Sequence, residues 1–360
     1  MSALPLRATC NPRLATALAL RLPRHQGMVG GSEKMAGDAL YDPLPPHAYT
    51  GRLKNHRPAS CAFVTAGPQT YAGALNCLSR RLNSSRYPLI TFVPSEDEET
   101  MRPQLHVNSH PKSMILPWNR FPYSAHDHGD SIRGARVMDK MNMLGLASVA
   151  RRIIWIDSDV YLRSSLDELC ELPDDISFAF THASKNGRPG HAWPSGKENA
   201  CTAGYNSTKD MTAYTFLRPQ TTSSCAFMFN AGLVVFNPMH TEAFNELVVK
   251  PVSNDSVAGY VHSEQGMMNT LLYDARKGLS WKASYAVLHP RFNTFARFLP
   301  AAEKLFGQKA VGVHWTGASG RPWLPGAKPS KHTADWEVLS AAWDEWQQHC
   351  SPQQNQKVQG

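Results

Sequence analysis

The sequence predicts an α/β fold: one domain with a mainly parallel central sheet and helices on both faces. Short apolar runs without polar alternation, typical of strands buried on both sides, occupy residues 62–65, 89–93, 152–156, 227–236 and 310–314. Helices are predicted between and after them, over 71–82, 137–146, 240–249, 264–275 and 333–349. Strands that alternate with helices in this order favour a parallel sheet covered by helices.

Segments without apolar periodicity are expected to lie outside regular structure: an N-terminal extension 1–58, a loop over 106–128, a polar surface insertion 183–224 and a disordered tail 351–360. The folded domain is therefore expected over 59–350. Residues 1–32 contain four arginines and no acid, a composition typical of an organelle transit peptide. An unprocessed disordered extension has the same composition, so both interpretations stay open.

Composition excludes some classes of protein and leaves the compartment open. With 42% apolar and 18% charged residues, the 360-residue chain is expected to bury a substantial core. The first 60 residues carry +5 of the +8 net charge, which leaves too little elsewhere to predict a nucleic-acid-binding surface. No apolar run reaches the ~18 residues of a membrane span.

The seven cysteines show no C-x-x-C spacing, so no zinc or redox motif is predicted. Cys61 and Cys77 lie in apolar contexts and are predicted to be core thiols. Cys201 and Cys225 flank a polar segment and would be able to close a loop in an oxidising compartment.

The triplet Asp157-Ser158-Asp159 is a candidate metal site. The triplet follows a buried strand, and ligands of open α/β sheets bind beyond the carboxyl ends of the strands. Neighbouring carboxylates in such a place are costly unless a cation neutralises them. Mg²⁺ and Mn²⁺ prefer oxygen ligands of this kind. Solvated aspartates after a strand are the commoner alternative, so the triplet alone does not decide.

Five further segments, taken with the triplet, resemble glycosyltransferase family 8, which includes glycogenins and galactinol synthases. They are, in order, Phe63-Val64-Thr65 with Tyr71, Asp139-Lys140-Met141, Phe229 to Pro238 (F-N-A-G-L-V-V-F-N-P), Glu264-Gln265-Gly266-Met267-Met268-Asn269, and His314-Trp315-Thr316-Gly317 with Arg321-Pro322-Trp323. The resemblance spans about residues 61–325. It implies a single GT-A-type, Rossmann-like domain.

The resemblance also implies which residues form the site. The implied metal ligands are Asp157, Asp159 and His314, with Mn²⁺ or Mg²⁺ as cofactor. The implied donor-binding residues are Thr65, Tyr71, Lys140, Ser158, Asn230, Ala231, Gly232, Gly317 and Arg321. Glu264 and Gln265 are the implied catalytic residues, although the family usually has Asp where this chain has Glu264. Lys140 and Arg321 would contact donor phosphates, and Tyr71 would stack on the nucleotide base.

The function so implied is metal-dependent transfer of a hexosyl group from a nucleoside-diphosphate sugar, UDP-linked as is usual in the family, with retention of configuration. The acceptor, whether glycan, lipid, polyol or protein, and a homodimeric assembly stay open. A catalytically degenerate nucleotide-sugar-binding protein is the first alternative. A nucleotidyltransferase is the second, disfavoured because the loop after the first strand, Ala66-Gly67-Pro68-Gln69, lacks Lys and Arg.

Overall fold

The computed structural model describes residues 40–105, 112–122, 138–182, 214–216, 229–253, 268, 284–315, 320–324, 326–328 and 336–351. The strands are β1 Ala62–Ala66, β2 Leu89–Pro94, β3 Met114–Trp118, β4 Ile153–Ile156, β5 Val160–Leu162, β6 Ile176–His182, β7 Tyr214–Phe216, β8 Phe229–Phe236, β9 Ser284–Leu288, β10 Thr294–Phe295 and β11 Gly312–His314.

The α-helices are α1 Pro46–Thr50, α2 Ala72–Arg81, α3 Glu98–Met101, α4 Asp167–Cys170, α5 Thr241–Phe244, α6 Lys250–Ser253, α7 Leu299–Phe306 and α8 Trp336–Cys350. Between them lie 3₁₀ turns at Gln69–Tyr71, Ser95–Asp97, Arg102–Gln104, Asp139–Gly145, Pro290–Phe292 and Ala296–Phe298, and a π turn at Asn245–Val249. None of the helices in these described ranges is long and apolar enough to cross a membrane.

The central sheet has the strand order β3-β2-β1-β4-β8-β6-β9-β7. The strands β3, β2, β1 and β4 are all parallel to one another, and β6 is parallel to β9. Strand β8 is antiparallel to both β4 and β6, and β7 is antiparallel to β9. Six of these eight strands therefore point the same way, which confirms the predicted α/β class and mainly parallel sheet. Large apolar side chains on both faces are fully buried, among them Phe63, Trp155 and Phe236.

A second, small sheet with the order β10-β11-β5 lies beside the carboxyl end of β4. In it β11 pairs antiparallel with β5, and His314 is opposite Val160. Since β5 begins directly after Asp157-Ser158-Asp159, this pairing joins the late strand to the acidic triplet.

Two segments that sequence patterns placed outside regular structure contain strands. The expected loop 106–128 includes β3, an edge strand that pairs with β2. Its Pro117 explains the error, because an edge strand tolerates the missing N–H that would disrupt a central one. The expected insertion 183–224 includes β7, also an edge strand, antiparallel to β9.

Part of the N-terminal extension packs on the domain, contrary to its exclusion from the fold. Leu44, Ala48 and Leu53 are buried in the main core. The Tyr41 hydroxyl donates to Asn142 Oδ1 at 2.7 Å, and burial raises the pKa of Tyr41. The packed chain therefore begins before residue 59. Residues 1–39, with the candidate targeting segment, and 352–360 lie outside the described ranges.

The predicted helices differ in outcome. Those at 71–82 and 333–349 are confirmed as α2 and α8, and 240–249 as α5 with the π turn. The segment 137–146 is instead the 3₁₀ turn Asp139–Gly145, every residue of which is buried. A Cβ on Gly145 would lie 2.6 Å from the Phe244 ring, so the turn is confined by close packing. The helix predicted at 264–275 lies outside the described residues except for Met268.

Cys61 and Cys77 are buried as predicted, but they form disulfides and are not free thiols. Cys61 pairs with Cys170 across a Cα separation of 5.8 Å, and Cys77 pairs with Cys350 across 4.9 Å. The partners are 109 and 273 residues apart in sequence, so no local pattern signals either pair. The second bridge ties the end of α8 to α2. Cys201 and Cys225 lie outside the described residues.

Reduction is expected to destabilise the protein, because each bridge closes a long loop of the unfolded chain. Bridges of this length each contribute about 2–5 kcal/mol. We expect the double variant Cys77→Ser/Cys350→Ser to lower the urea midpoint, and dithiothreitol to do the same to the wild type. Peptide mapping without reduction should recover the Cys61–Cys170 and Cys77–Cys350 cross-links. Free thiols at all four positions in protein refolded under oxidising conditions would contradict the pairing.

Candidate active site

The acidic triplet lies in the turn between β4 and β5. The Asp157 N–H donates to the Gly232 carbonyl at 2.8 Å, which continues the β4–β8 pairing by one residue. The Val160 N–H then donates to the Asp157 carbonyl at 3.0 Å and closes the turn. Both ends of the triplet are therefore fixed by strand backbone. Asp157 and Asp159 are partly exposed, whereas Ser158 is buried.

His314 lies against the triplet from the small sheet. Its Nε2 is 3.2 Å from Asp159 Oδ1, and the Trp315 N–H donates to the Asp159 carbonyl at 2.9 Å. One ligand atom each from Asp157, Asp159 and His314 lies within 4.8 Å of the others. The three residues expected to hold a metal thus converge, although 155 positions separate Asp159 from His314 along the chain.

The carboxylate of Asp157 is held by two donors. Lys140 Nζ lies 2.5 Å from Oδ1, and Trp155 Nε1 donates to the same oxygen at 2.7 Å. Lys140 Nζ also donates to the Ala231 carbonyl at 2.7 Å, and its side chain is only 9% exposed. Lys140 is therefore part of the site rather than a solvated surface charge, and it contacts Asp157 directly.

Asp159 has a pKa that reflects its neighbours. Burial alone would raise the pKa of this carboxyl, but the charge and hydrogen bond of His314, with the charge of Lys140, hold it below the ordinary value. A carboxylate that stays ionised in a partly buried place is suited to bind a cation.

A bulge in β8 supplies the next part of the site. Pairing with β6 shifts between Phe180 and Thr181, which lie opposite Val234 and Asn230. The bulged residues include Ala231, whose carbonyl binds Lys140, and Gly232. A Cβ on Gly232 would lie 2.5 Å from His314 Nδ1, so glycine is required here by the histidine ring. Bulges are frequent beside active sites because they redirect chain atoms in this way.

Thr65 and Ser158 line the end of β1. Thr65 is fully buried, and its Oγ1 has no hydrogen-bond partner among the described residues. A Cβ on Gly67 would lie 3.0 Å from Ser158 Oγ, so the loop after β1 passes close to the triplet. Ser158 thus lies between the two aspartates, and Thr65 follows Val64, which is opposite Trp155 in β4.

Tyr71 and Arg321 form a stack at the edge of the site. The ring centroids of Tyr71 and Trp323 are 5.0 Å apart, and Arg321 Cζ lies 5.5 Å from the Tyr71 ring centroid. A Cβ on Gly73 would approach the Trp323 carbonyl to 3.1 Å. The loop that carries Arg321 therefore packs against the start of α2, which brings two segments far apart in sequence to one side of the site.

Glu264, Gln265 and Gly317 lie outside the described residues, so their predicted roles stay predictions. In contrast, two polar contacts of the site were not predicted. Trp155 could have been found, because it precedes Asp157 by two residues on one strand and shares its face. Asn293, whose Oδ1 lies 2.9 Å from His314 Nδ1, follows no motif and had no signal in the sequence.

Loss of Lys140 is expected to make the stability of the protein depend more strongly on metal. In Lys140→Met the partly buried Asp157 carboxylate loses its cationic partner, which is destabilising by about 3 kcal/mol or less for a site with some solvent access. Added Mn²⁺ should restore part of that loss. Thermal unfolding with Mn²⁺ and with EDTA should therefore differ more in Lys140→Met than in the wild type. Lys304→Met, which removes an exposed lysine on α7, is the control, and an equal Mn²⁺ effect in both variants would contradict the expectation.

The structure is thus an α/β fold in which two aspartates and a histidine converge beyond the end of β4. Residues 143–326, just over half of the chain, match the sequence model of glycosyl transferase family 8. The chain belongs to this family, and it is a glycosyltransferase. No curated protein sequence matches it.

Solved glycosyltransferase structures are similar to this chain at low identity. The galactosyltransferase LgtC, solved with donor and acceptor sugar analogues, is 14% identical with a TM-score of 0.44, over 80% of this chain and 99% of its own. The bifunctional glycosyltransferase WbbM is 14% identical with a TM-score of 0.47, and the match covers 82% of this chain and 50% of WbbM. GlyE of Streptococcus pneumoniae is 14% identical with a TM-score of 0.40, and the match covers 81% of this chain and 63% of GlyE.

Proposed function

We propose that this glycosyltransferase moves a hexosyl group from a UDP-linked donor with retention of configuration, and that Asp157, Asp159 and His314 hold a divalent cation, Mn²⁺ or Mg²⁺. The observation that carries the proposal is the convergence of these three side chains within 4.8 Å. Family membership supports the nucleotide-sugar donor, and the usual UDP carrier follows from the same resemblance.

The geometry of the three residues suits such a cation. With bonds of about 2.1 Å, neighbouring ligand atoms of an octahedral ion lie about 3.0 Å apart and opposite ones about 4.2 Å apart. The 3.2 Å between His314 Nε2 and Asp159 Oδ1 is close to the first distance. The three ligand atoms all lie within 4.8 Å of one another, so only a small inward movement would bring any pair to within 4.2 Å. Two carboxylates with one imidazole suit Mn²⁺ well.

The remaining contacts position these ligands. Lys140 and Trp155 both donate to Oδ1 of Asp157 and so fix the orientation of the carboxylate that would hold the cation. When bound, the cation would neutralise charge that develops on the diphosphate as the sugar–phosphate bond breaks. Lys140 adds a positive charge beside the same place and so favours the departing diphosphate as well. Thr65, Ser158, Tyr71 and Arg321, at the edge of the site, are proposed to bind the donor nucleotide.

The catalytic roles of Glu264 and Gln265 and the donor contact of Gly317 are part of the proposal through the family resemblance. Glu264 is longer by one methylene than the aspartate usual in the family, which moves its carboxylate relative to the anomeric carbon. A Glu264→Asp variant should therefore change kcat more than the KM for the donor.

The test is release of nucleoside diphosphate from a panel of nucleotide sugars, with Mn²⁺, with Mg²⁺ and with EDTA. We expect turnover of a UDP-sugar that EDTA abolishes and Mn²⁺ restores, and a product whose anomeric proton coupling shows retention. Binding of a UDP-sugar without hydrolysis or transfer would favour the degenerate binding protein. Turnover unaffected by EDTA would contradict the metal site.

A further inference from the structure

A chain of hydrogen bonds behind the triplet connects the backbone of β8 to the ring of His314. Asn230 Oδ1 accepts from the Gly232 N–H at 2.8 Å and from Asn293 Nδ2 at 2.7 Å. Asn293 Oδ1 lies 2.9 Å from His314 Nδ1. Asn230, Asn293 and His314 are buried, with exposed fractions of 9%, 7% and 4%. Since these groups are shielded from water, each must satisfy its hydrogen bonds within the chain.

The direction of every bond in this chain follows from its first donor. A backbone N–H can only donate, so the atom of Asn230 that faces Gly232 must be its amide oxygen. That oxygen also faces the Asn293 amide, so the atom of Asn293 beside it must be nitrogen. The other end of the Asn293 amide, which faces the imidazole, is therefore oxygen. An oxygen acceptor there requires a proton on His314 Nδ1.

We propose that Asn293 is a positioning residue that keeps the proton of His314 on Nδ1, and so presents Nε2 to the cation. The inference rests on the proposed metal site for its functional consequence. Nε2 is the nitrogen 3.2 Å from Asp159 Oδ1, on the side of the ring where the ligand atoms converge. Nε2 also carries a proton when the ring is charged. In the neutral ring we expect the one remaining proton to stay on Nδ1, where the contact with Asn293 is shorter. A histidine that ligates a metal through one nitrogen usually donates the other N–H to an oxygen acceptor.

The strand arrangement makes this contact rigid. Asn293 immediately precedes β10, and β10 pairs in parallel with β11, where Phe295 lies opposite His314. Asn293 Nδ2 also donates to Thr181 Oγ1 at 3.1 Å, on the neighbouring β6. The amide is therefore held by three strands, β6, β8 and β11, and it cannot rotate without losing three hydrogen bonds.

Two variants of Asn293 distinguish the effect of its acceptor oxygen from the effect of the side chain's volume. Asn293→Ala removes the acceptor, and we expect a loss of Mn²⁺ affinity of about 10- to 100-fold. Asn293→Asp keeps an oxygen towards Nδ1 and should therefore retain the Nδ1-protonated ring. It should lower the stability of the protein, because its second oxygen faces Asn230 Oδ1 where the amide nitrogen donated. Asn245→Ala is the matched control, since Asn245 is equally buried and bonds the carbonyls of Tyr41 and Thr241 away from the triplet.

Two measurements on the full chain test the proposal. Electron paramagnetic resonance of free Mn²⁺ gives the affinity without donor, and long-range ¹H–¹⁵N NMR of the metal-free protein in alkaline buffer gives the tautomer, with His314→Gln identifying the signal. We expect Nδ1–H in the wild type and in Asn293→Asp, a mixture in Asn293→Ala, and wild-type affinity in Asn245→Ala. Nε2–H in the wild type, or unchanged tautomer and affinity in Asn293→Ala, would overturn the inference.

The two proposals fail in different ways in these measurements. If the wild type shows the Nδ1–H tautomer but binds no Mn²⁺, the metal site is wrong while the tautomer assignment stands. If the wild type binds Mn²⁺ and Asn293→Ala binds it equally well, the metal site stands and the role of Asn293 is wrong.

Discussion

Replacement of Asp159 by asparagine is expected to lower kcat by at least about 1000-fold, equivalent to about 4 kcal/mol of transition-state stabilisation. The amide keeps the volume of the side chain but removes the charge that faces His314 and the proposed cation. Donor turnover and Mn²⁺ binding should be lost together. Both are measured on the same protein, the first by release of nucleoside diphosphate and the second by paramagnetic resonance.

The control for this variant is Asp344→Asn, which removes an exposed carboxylate on α8. It should retain wild-type turnover and Mn²⁺ affinity. Far-ultraviolet circular dichroism of Asp159→Asn should match that of the wild type, because the substitution is isosteric. Turnover of a folded Asp159→Asn protein within threefold of the wild type would exclude Asp159 from the proposed metal site.

Gly232→Ala is expected to have the second large effect, because its Cβ would overlap the ring of His314. The added carbon would be 2.5 Å from Nδ1 and 2.8 Å from Asn230 Oδ1. The ring is buried and bonded to Asn293, so either the ring or the β8 bulge must move. We expect a stability loss of about 1–3 kcal/mol from overpacking. Displacing the ligand should also lower kcat by about 100-fold.

A glycine at which a Cβ has space provides the comparison. Gly307 follows α7 with a φ of 68°, and a Cβ there would meet nothing within 4 Å. Gly307→Ala should lower the free energy of unfolding by about 1–2 kcal/mol, because alanine is strained in this left-handed backbone conformation. It should leave kcat unchanged. Equal kcat for Gly232→Ala and the wild type, with chemical unfolding measured alongside, would mean that His314 tolerates the shift or does not act in the reaction.

The residues that the sequence identified share one property: each belongs to a strand or motif that is recognisable locally. Asp157 and Asp159 follow one apolar strand, and His314 ends another. The aspartates alone left a cation site and solvated side chains as alternatives, and the family resemblance favoured the cation site and added His314. Their convergence depends on the pairing of β11 with β5, which no spacing along the chain reveals.

Other features escaped prediction because they depend on the folded chain alone. Asn293 acts through contacts with three separate segments, and an isolated asparagine among aromatic residues carries no pattern. The partners of Cys61 and Cys77 are more than a hundred residues away. Lys140 was predicted, through the resemblance, to contact donor phosphates, but its contact with Asp157 was not predicted. That contact depends on the burial of its turn against Phe244 and Ala231.

The most direct test of the metal site is a crystal structure with UDP and Mn²⁺, with diffraction data collected at the manganese absorption edge. We predict one anomalous peak at about 2.2 Å from carboxylate oxygens of Asp157 and Asp159 and from His314 Nε2, in contact with the diphosphate. A structure with UDP bound and no anomalous peak between these three residues, or a peak held by other side chains, would contradict the proposal.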